Sequence, residues 1–209
     1  MSPSGGARHM IRIMSLPLDR FHPDVLAQAR ELRRPAGATL FRQGQRPAWL
    51  YYVQHGEAVM QRVTPAGAPV VLQRARQGFI AEASLTAPRY HCDGVCRTDC
   101  ELLAVPLAAL RQAIDADAGT RWAWIDILSS QARQQRARIE RQALKTIRER
   151  LHHLVMTEGS ADGYEMPATK MELAADLGVT PEALYRCLAA LQPEEILIVG
   201  KRLIWRQPG

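Results

Sequence analysis

The strongest constraint on the fold lies near the C-terminal end of the chain, where helix start and stop signals follow one another closely. Thr169 is followed three residues later by Glu172, the pattern of a capping box that begins a helix. Gly178 marks the end of that helix, because a residue without a Cβ adopts the left-handed conformation without strain. Thr180 can cap a second helix, and Pro181 suits its first turn. The segment therefore predicts two short helices joined by a tight turn.

The spacing of small and apolar residues in this segment is that of a helix-turn-helix. Ala174 places a small residue where the helices touch, Gly178 stands in the turn, and Leu184 anchors the second helix. In such a motif the second helix enters the DNA major groove through its N-terminal residues. The residues expected to reach DNA from this helix are Thr180, Pro181, Glu182, Tyr185 and Arg186.

Glu182 and Arg186 are the residues best suited to read bases. They lie four residues apart and share one face of the helix. A carboxylate accepts from the amino group of cytosine, and a guanidinium donates twice to guanine, so the pair predicts a site that contains C·G. The alternative is an ion pair between the two side chains on the surface of an ordinary helical hairpin.

The last apolar runs of the chain predict a wing beside this motif. Residues 196–205 form two apolar runs around Gly200 and Lys201, a pattern typical of a β-hairpin. Lys201 and Arg202 would then face phosphates, which adds affinity and salt dependence without sequence information.

Composition agrees with a DNA-binding function and excludes some others. The 209 residues carry a formal net charge of +6, which favours a polyanionic partner. No apolar run approaches the roughly 18 residues of a membrane span, and Met1–Met10 lacks the pattern of a signal peptide. We therefore expect a cytoplasmic protein without a membrane partner, whose four cysteines are thiols or ligands rather than disulfides.

The N-terminal part has the pattern of short strands. Residues 17–34 predict one or two short helices. Strands are then predicted at 37–41, 49–54, 57–63 and 70–74, with Gly or Pro at each corner. Regular short strands of this kind predict a small antiparallel barrel.

A long helix is predicted between the barrel and the DNA module. Residues 120–156 contain no Gly or Pro. An apolar stripe of this length usually pairs with a copy of itself, although packing on the chain's own barrel is the alternative. The stripe comprises Trp122, Ile125, Leu128, Ala132, Ile139 and Ala143, and a solvated face is predicted for Arg133, Arg136, Arg138 and Arg141.

Five short motifs in order resemble the CRP/FNR superfamily of bacterial transcription regulators. They are Gly37…Leu40-Phe41…Gly44, Tyr52-Val53…Gly56, Gly78-Phe79-Ile80-Ala81-Glu82, Glu101-Leu102-Leu103-Ala104-Val105-Pro106 and Glu182…Arg186. The resemblance implies an α+β fold: an antiparallel β-barrel of the cyclic-nucleotide-binding jelly-roll type over 1–117, a dimerisation helix over 118–156, and a winged helix-turn-helix over 157–209. Residues 79–83 and 180–182 further resemble the branch that regulates dissimilatory nitrate respiration, which senses nitric oxide through haem.

The resemblance also implies partners and a mode of action. The protein would be a homodimeric activator that recruits RNA polymerase and reads two half-sites about 34 Å apart. Glu182 and Arg186 match the base-reading positions of the family, so a palindrome with TTGA- or GTGA-like halves is expected. Tyr185 stands where the family usually has Ser or Gly, which leaves the outer base preference open.

The residues of the effector pocket depart from those of cyclic-nucleotide binders. In those proteins an Arg followed by Ser or Thr holds the phosphate, and the Glu of a Gly-Glu pair holds the ribose. This chain keeps Glu82 but has Ala81 in place of the Gly, and Tyr90-His91 stands where Arg-Ser would be. Without that guanidinium the phosphate lacks its charge-matched fork. Glu82, Tyr90 and His91 are thus the candidate pocket, and haem, a metal or a redox signal is favoured over cyclic AMP, which stays an alternative.

Three cysteines and a histidine are candidate ligands for a metal. His91, Cys92, Cys96 and Cys100 suit zinc, copper(I), iron–sulfur or haem iron. On a strand, Cys92 and Cys96 lie about 13 Å apart, too far for one metal. Cys96 and Cys100 could meet only if the chain bends at Thr98-Asp99. The sequence leaves open a metal or thiol-redox sensor and a plain barrel wall in which Cys acts as a small apolar residue.

Candidate haem ligands are spread along the N-terminal half of the chain. They are His9, His22, His55, His91 and Cys92.

Two other classes of function are rivals to a DNA-binding regulator. Nothing in the sequence supplies a base, an orienting group and an oxyanion site together, so an enzyme is not expected. A pure interaction protein remains a rival, and DNA binding that depends on Arg186 would distinguish the two.

Overall fold

The computed structural model describes residues 17–65, 67, 69–167 and 169–206. The predictions for residues 1–10, including His9, lie outside these ranges. The chain divides into two compact units, residues 1–128 and 129–209. Among the described residues, no helix combines the length and the apolar character needed to cross a lipid bilayer.

The first unit consists of short strands framed by helices. Its strands are β1 (Arg30–Arg34), β2 (Thr39–Phe41), β3 (Trp49–His55), β4 (Ala58–Val63), β5 (Pro69–Ala75), β6 (Gly78–Ile80), β7 (Asp93–Cys96) and β8 (Cys100–Pro106). Its helices are α1 (Pro23–Ala27), α2 (Leu107–Ala116) and the first part of the long α3 (Ala118–Ala143), which ends in the second unit, with short 3-10 helices at Pro17–Arg20 and Glu82–Leu85. The strands form two antiparallel four-stranded sheets of order β1-β8-β3-β6 and β2-β7-β4-β5. The predicted jelly-roll barrel is confirmed.

The barrel core is aliphatic with an aromatic layer. Leu50 and Val105 face each other in the β3–β8 register, and both are fully buried. The ring of Phe79 lies 5.1 Å from that of Tyr52 and 5.6 Å from that of Trp124, in edge-to-face geometry that favours aromatic pairs. Trp124 lies on α3, so the start of that helix packs on the core of its own unit.

Two predictions of local structure were wrong. Arg30–Arg34 is a strand rather than part of a helix, because it pairs antiparallel with β8 and tertiary pairing overrides local preference. The long helix predicted over 120–156 is two helices, since α3 ends at Ala143 and α4 begins at Ile147. The second helix begins there because Thr146 and Glu149 form a reciprocal capping box.

The second unit contains the remaining small helices and a three-stranded sheet. Its elements after α3 are α4 (Ile147–Glu158), β9 (Tyr164–Glu165), α5 (Lys170–Leu177), α6 (Pro181–Leu191), β10 (Ile196–Val199) and β11 (Arg202–Trp205), with sheet order β10-β11-β9. Its core consists largely of leucines that are fully or almost fully buried: Leu151, Leu154, Leu173, Leu177, Leu184, Leu188 and Leu203. This arrangement is the predicted winged helix-turn-helix, preceded by α4.

The corner between α3 and α4 is held by polar side-chain contacts. The Arg141 side chain is 3% exposed and bonds the carboxylate of Glu158, so the solvated position predicted for Arg141 was wrong. Glu140 approaches the imidazole of His153 at 3.4 Å. The buried position of Arg141 follows from the helix break, since α4 turns back beside the end of α3.

Candidate nucleic-acid interface and effector domain

The two helices of the DNA module begin and end where the sequence signals stand. The hydroxyl of Thr169 accepts from the Glu172 N–H at 3.2 Å, and that of Thr180 accepts from the Ala183 N–H at 3.2 Å. Gly178 ends α5 with φ of +67°, a conformation that costs a residue with a Cβ. Ala174 is fully buried and its carbonyl accepts from Val179 N–H at 2.9 Å. The tight turn is therefore fixed by backbone bonds and packing.

Arg150 is a residue of this module that sequence reasoning missed. From α4, its Nη1 donates to the carbonyls of Leu177 at 3.0 Å and Gly178 at 3.4 Å, at the C-terminal end of α5. Its Nε and Nη2 donate to the carbonyls of Leu144 at 2.9 Å and Gln142 at 3.3 Å, beside the end of α3. One guanidinium thus satisfies the last carbonyls of two helices, which have no partners within their own helices.

The face of α6 predicted to read bases is open to solvent. Glu182 and Arg186 are exposed. In the described part of the chain, neither side chain forms an ion pair or a hydrogen bond, so the alternative surface ion pair does not form in this structure. Pro181 is half-buried in the first turn, next to the capping residue Thr180. A carboxylate and a guanidinium therefore project side by side with their hydrogen-bonding groups unused.

Tyr185 also lies on this face and has a cationic neighbour. It is 48% exposed. The ammonium of Lys170, the first residue of α5, lies 5.4 Å from the centroid of the Tyr185 ring, within the range of a cation–π interaction. No pattern in the sequence signals this contact, because it joins two helices through side chains 15 positions apart.

The wing carries the two predicted phosphate-binding residues at its tip. Gly200 makes the turn with φ of +60°, and Lys201 is exposed beside it. Arg202 approaches the carboxylate of Asp162 at 3.2 Å, and both side chains are well exposed. An exposed pair of this kind contributes about 1 kcal/mol or less, so a phosphate can replace the carboxylate.

In the first unit, the backbone before Glu82 has a conformation that usually requires glycine. Ala81 adopts φ of +69° although it carries a Cβ, and it is fully buried. Glu82 follows as the half-buried first residue of a 3-10 helix. The turn expected of a Gly-Glu pair is therefore kept at a cost of roughly 1 kcal/mol or more.

Tyr90 is a core residue of the barrel rather than an open pocket residue. Its hydroxyl donates to the carbonyl of Trp49 at 2.7 Å, and its ring lies 4.2 Å from that of Phe41. Burial raises the pKa of Tyr90. The carbonyl of His91, by contrast, accepts from Nε of Arg62 on β4 at 2.9 Å. A guanidinium thus stands beside Tyr90-His91, but it comes from a neighbouring strand, which the sequence did not reveal.

The predicted metal ligands are not brought together. Within the described ranges, no three side chains of His, Cys, Asp or Glu lie close enough to hold a metal ion. Cys92 is fully buried, and burial raises its pKa to about 11. A desolvated, protonated thiol of this kind behaves as a small apolar residue.

Two of the cysteines stand on either side of the bend that the sequence suggested. β7 ends at Cys96 and β8 begins at Cys100, and both side chains are buried at this corner. The Cys100 Sγ donates to the carbonyls of Glu57 at 3.2 Å and Thr98 at 3.3 Å. Burial, and then the nearby Cys100, raises the pKa of Cys96 to about 12. The corner therefore holds a buried dithiol.

Two further candidates for haem ligation, His22 and His55, lie at the start of a helix and at the end of a strand. The Nδ1 of His22 accepts from the Asp24 N–H at 3.4 Å and caps α1. His55 is exposed at the end of β3. Cys92 is fully buried in the barrel core.

Comparisons with known proteins agree with this architecture. Residues 31–117 match the family described as the cyclic nucleotide-binding domain. The fold resembles that of FixK2 from Bradyrhizobium japonicum, with a TM-score of 0.73, 16% sequence identity, and coverage of 86% of this chain and 93% of that one. No curated protein sequence matches the chain.

Two further solved structures have the same fold. One is the c-di-GMP responsive global regulator CLP from Xanthomonas campestris, with a TM-score of 0.65, 22% identity, and coverage of 92% of this chain and 99% of that one. The other is a CRP-family transcriptional regulator from Thermus thermophilus, with a TM-score of 0.63, 17% identity, and coverage of 83% and 91%. Residues 31–117 are therefore similar to the cyclic nucleotide-binding domain family, and the chain has the fold of the CRP-family transcriptional regulator from Thermus thermophilus.

Proposed function

We propose that the protein is a homodimeric, sequence-specific DNA-binding transcription regulator of the CRP/FNR type. The observation that carries the proposal is the exposed, unpaired placement of Glu182 and Arg186 on a helix whose start is fixed by Thr180 and the Gly178 turn. Charged groups with unused hydrogen-bonding capacity are what base recognition in a major groove requires. A regulator of this kind acts on DNA in the cytoplasm and is not an enzyme.

The proposed DNA site follows from these side chains. Glu182 accepts from cytosine and Arg186 donates to guanine, which places C·G in each half-site. The resemblance to the CRP/FNR superfamily then implies TTGA- or GTGA-like halves. Lys201 and Arg202 at the wing tip neutralise phosphates and set the register without reading sequence. The net charge of +6 adds a general attraction to DNA.

The homodimer is supported by apolar residues that α3 exposes. Within the first unit, Trp122 is 61%, Ile125 40% and Leu128 39% exposed, and Ile139 in the second unit is 68% exposed. Large apolar side chains repeated along one helix are typical of a surface that a second copy covers. Two copies would present two α6 helices to a palindrome, and RNA polymerase would be the partner of the bound dimer.

For the effector, a redox signal at the barrel thiols is proposed ahead of cyclic AMP, because Tyr90-His91 stands where a cyclic-nucleotide binder has its phosphate-binding Arg. Cys96 ends β7 and Cys100 begins β8, so the two buried thiols stand on either side of one short corner. A peroxide would accept two electrons from the dithiol: the two S–H bonds break, one S–S bond forms, and the peroxide leaves as water or an alcohol and water. The nitrate-respiration branch remains part of the proposal on residues 79–83 and 180–182 alone.

The effector proposal is tested by oxidation of the native protein. Treatment with hydrogen peroxide, followed by peptide mass mapping, should show a Cys96–Cys100 disulfide and a changed affinity for the selected DNA site. A Cys96→Ala variant should lose the response, whereas Cys187→Ala should keep it. Oxidation of Cys187 alone, with no change in DNA affinity, would contradict the thiol effector.

Random-site selection from a library of double-stranded DNA tests the proposed function. We expect enrichment of a palindrome whose half-sites contain C·G. The Arg186→Ala variant should enrich no such palindrome. If the protein were an interaction protein that does not bind DNA, neither wild type nor the variant would enrich a palindrome. Enrichment by wild type of sites that lack C·G would contradict the assignment of Glu182 and Arg186.

A further inference from the structure

We propose that Tyr185 selects a thymine through its 5-methyl group, and that Lys170 is a positioning residue that holds the Tyr185 ring for this contact. The inference rests on the proposed DNA binding and deepens it. It concerns a position where the sequence left the base preference open, and a lysine that no sequence pattern assigned a role.

The Lys170 side chain constrains the aromatic ring of Tyr185. The ammonium of Lys170 lies 5.4 Å from the centroid of the Tyr185 ring, where the negative face of the ring attracts it. Lys170 stands in the first turn of α5, whose start is fixed by the Thr169 cap. A cation anchored on one helix therefore limits the rotamers that the Tyr185 side chain on α6 can adopt.

Part of the Tyr185 side chain stays available for contact with DNA. Tyr185 is 48% exposed, and its hydroxyl has no hydrogen-bond partner among the described residues. Tyr185 directly precedes Arg186 and lies three residues after Glu182, so it shares the face that would enter the groove. With the ammonium on one face, the rest of the ring offers an apolar surface toward the bases.

The exposed apolar surface of the Tyr185 ring matches the methyl group of thymine. In the major groove, thymine presents a methyl group, and this is the apolar group by which proteins distinguish it. A methyl group covered by an aromatic ring leaves water, which is favourable. A ring held in place by Lys170 makes this contact without first losing rotamer freedom, so the positioning residue strengthens discrimination as well as affinity.

The test removes only the methyl group. In the palindrome selected by the full-length protein, each thymine is replaced in turn by deoxyuridine, and affinities are measured by fluorescence anisotropy. Wild type should lose about fourfold in affinity per half-site at one thymine, the value of one buried methyl group. Tyr185→Ser should abolish that loss, and Tyr185→Phe should keep it, because the ring remains.

Lysine variants separate positioning from simple charge. Lys170→Met should reduce the thymine-to-deoxyuridine ratio toward one, and Lys170→Arg should restore it, because a guanidinium also lies well on an aromatic face. Lys201→Met, which removes another exposed cation from the wing, should weaken all sites alike and leave the ratio unchanged.

Two results would overturn the inference while the proposed function stands. One is a methyl effect that persists in Tyr185→Ser. The other is a Lys170→Met variant that behaves like Lys201→Met, since Lys170 would then contact only a phosphate. If wild type selects no DNA site at all, the proposed function fails, and the inference fails with it.

Discussion

The guanidinium of Arg150 donates to the carbonyl of Leu177 at 3.0 Å and so closes the C-terminal end of the first helix of the DNA module. The same side chain bonds carbonyls beside the end of α3. Within the second unit, one residue of α4 thus fixes both the turn that precedes α6 and the corner that precedes α4.

Replacing Arg150 by Met should destabilise the second unit. The variant leaves partly buried carbonyls without a donor, which costs about 1–3 kcal/mol in the free energy of unfolding. Urea denaturation followed by far-UV circular dichroism measures the change. The control is Arg136→Met, which removes an exposed arginine from α3 and should have little effect. Equal stability of the two variants would contradict the structural role of Arg150.

Thr146→Ala should weaken the start of α4. The substitution removes the hydroxyl that accepts from the Glu149 N–H at 3.1 Å, and loss of an N-cap typically costs about 1 kcal/mol. The same denaturation assay checks this value, and Thr146→Ser should restore most of the stability because Ser also caps. A variant as stable as wild type would mean that the corner is held by the other polar contacts alone.

The buried thiols should make the protein less stable at high pH. Burial raises the pKa of Cys92 to about 11 and that of Cys96 to about 12, from an ordinary value of 9.0. Their stabilising contribution is complete below pH 9, where both states are protonated. It is lost as the pH rises through 11 to 12, because the unfolded chain releases protons that the folded chain retains.

The expected loss is at most about 1.4 kcal/mol per pH unit and thiol. Denaturation midpoints between pH 8 and pH 11 measure it, and the Cys92→Ala, Cys96→Ala double variant should show a shallower decline than wild type. An identical decline in both proteins would show that other groups cause it.

The exposed residues of α3 should control assembly. Ile139→Asp places a charge on the apolar surface that a second copy is proposed to cover, so the dimer should dissociate at micromolar concentration. Sedimentation velocity measures the mass, and Arg136→Asp provides a control with a new carboxylate on the same helix. A wild-type chain that is monomeric at all concentrations would contradict the proposed homodimer.

How much of this structure the sequence predicted depends on the range of the interactions involved. The caps at Thr169 and Thr180 and the turn at Gly178 act within a few residues, so their signals are readable in the sequence. The placement of Cys96 and Cys100 on either side of one corner is also local and required only the bend near Thr98-Asp99.

Long-range contacts left no such signal. Arg30–Arg34 is a charged segment that becomes a strand only because β8 pairs with it. Arg150 reaches a carbonyl 27 residues away, and Arg62 reaches the carbonyl of His91 29 residues away. The break at Thr146 is different: its Thr-x-x-Glu pattern is visible in the sequence, but the absence of Gly and Pro concealed it.

The most direct test of the account is the dependence of DNA discrimination on Arg186. Affinities of wild type and Arg186→Ala are compared on the selected palindrome and on the same palindrome with its central C·G pairs changed to T·A. We expect wild type to lose about 1–3 kcal/mol per half-site on the altered DNA, and Arg186→Ala to lose clearly less, because only Glu182 then reads the altered pair. Equal binding of both sites by wild type, or unchanged discrimination by Arg186→Ala, would contradict it.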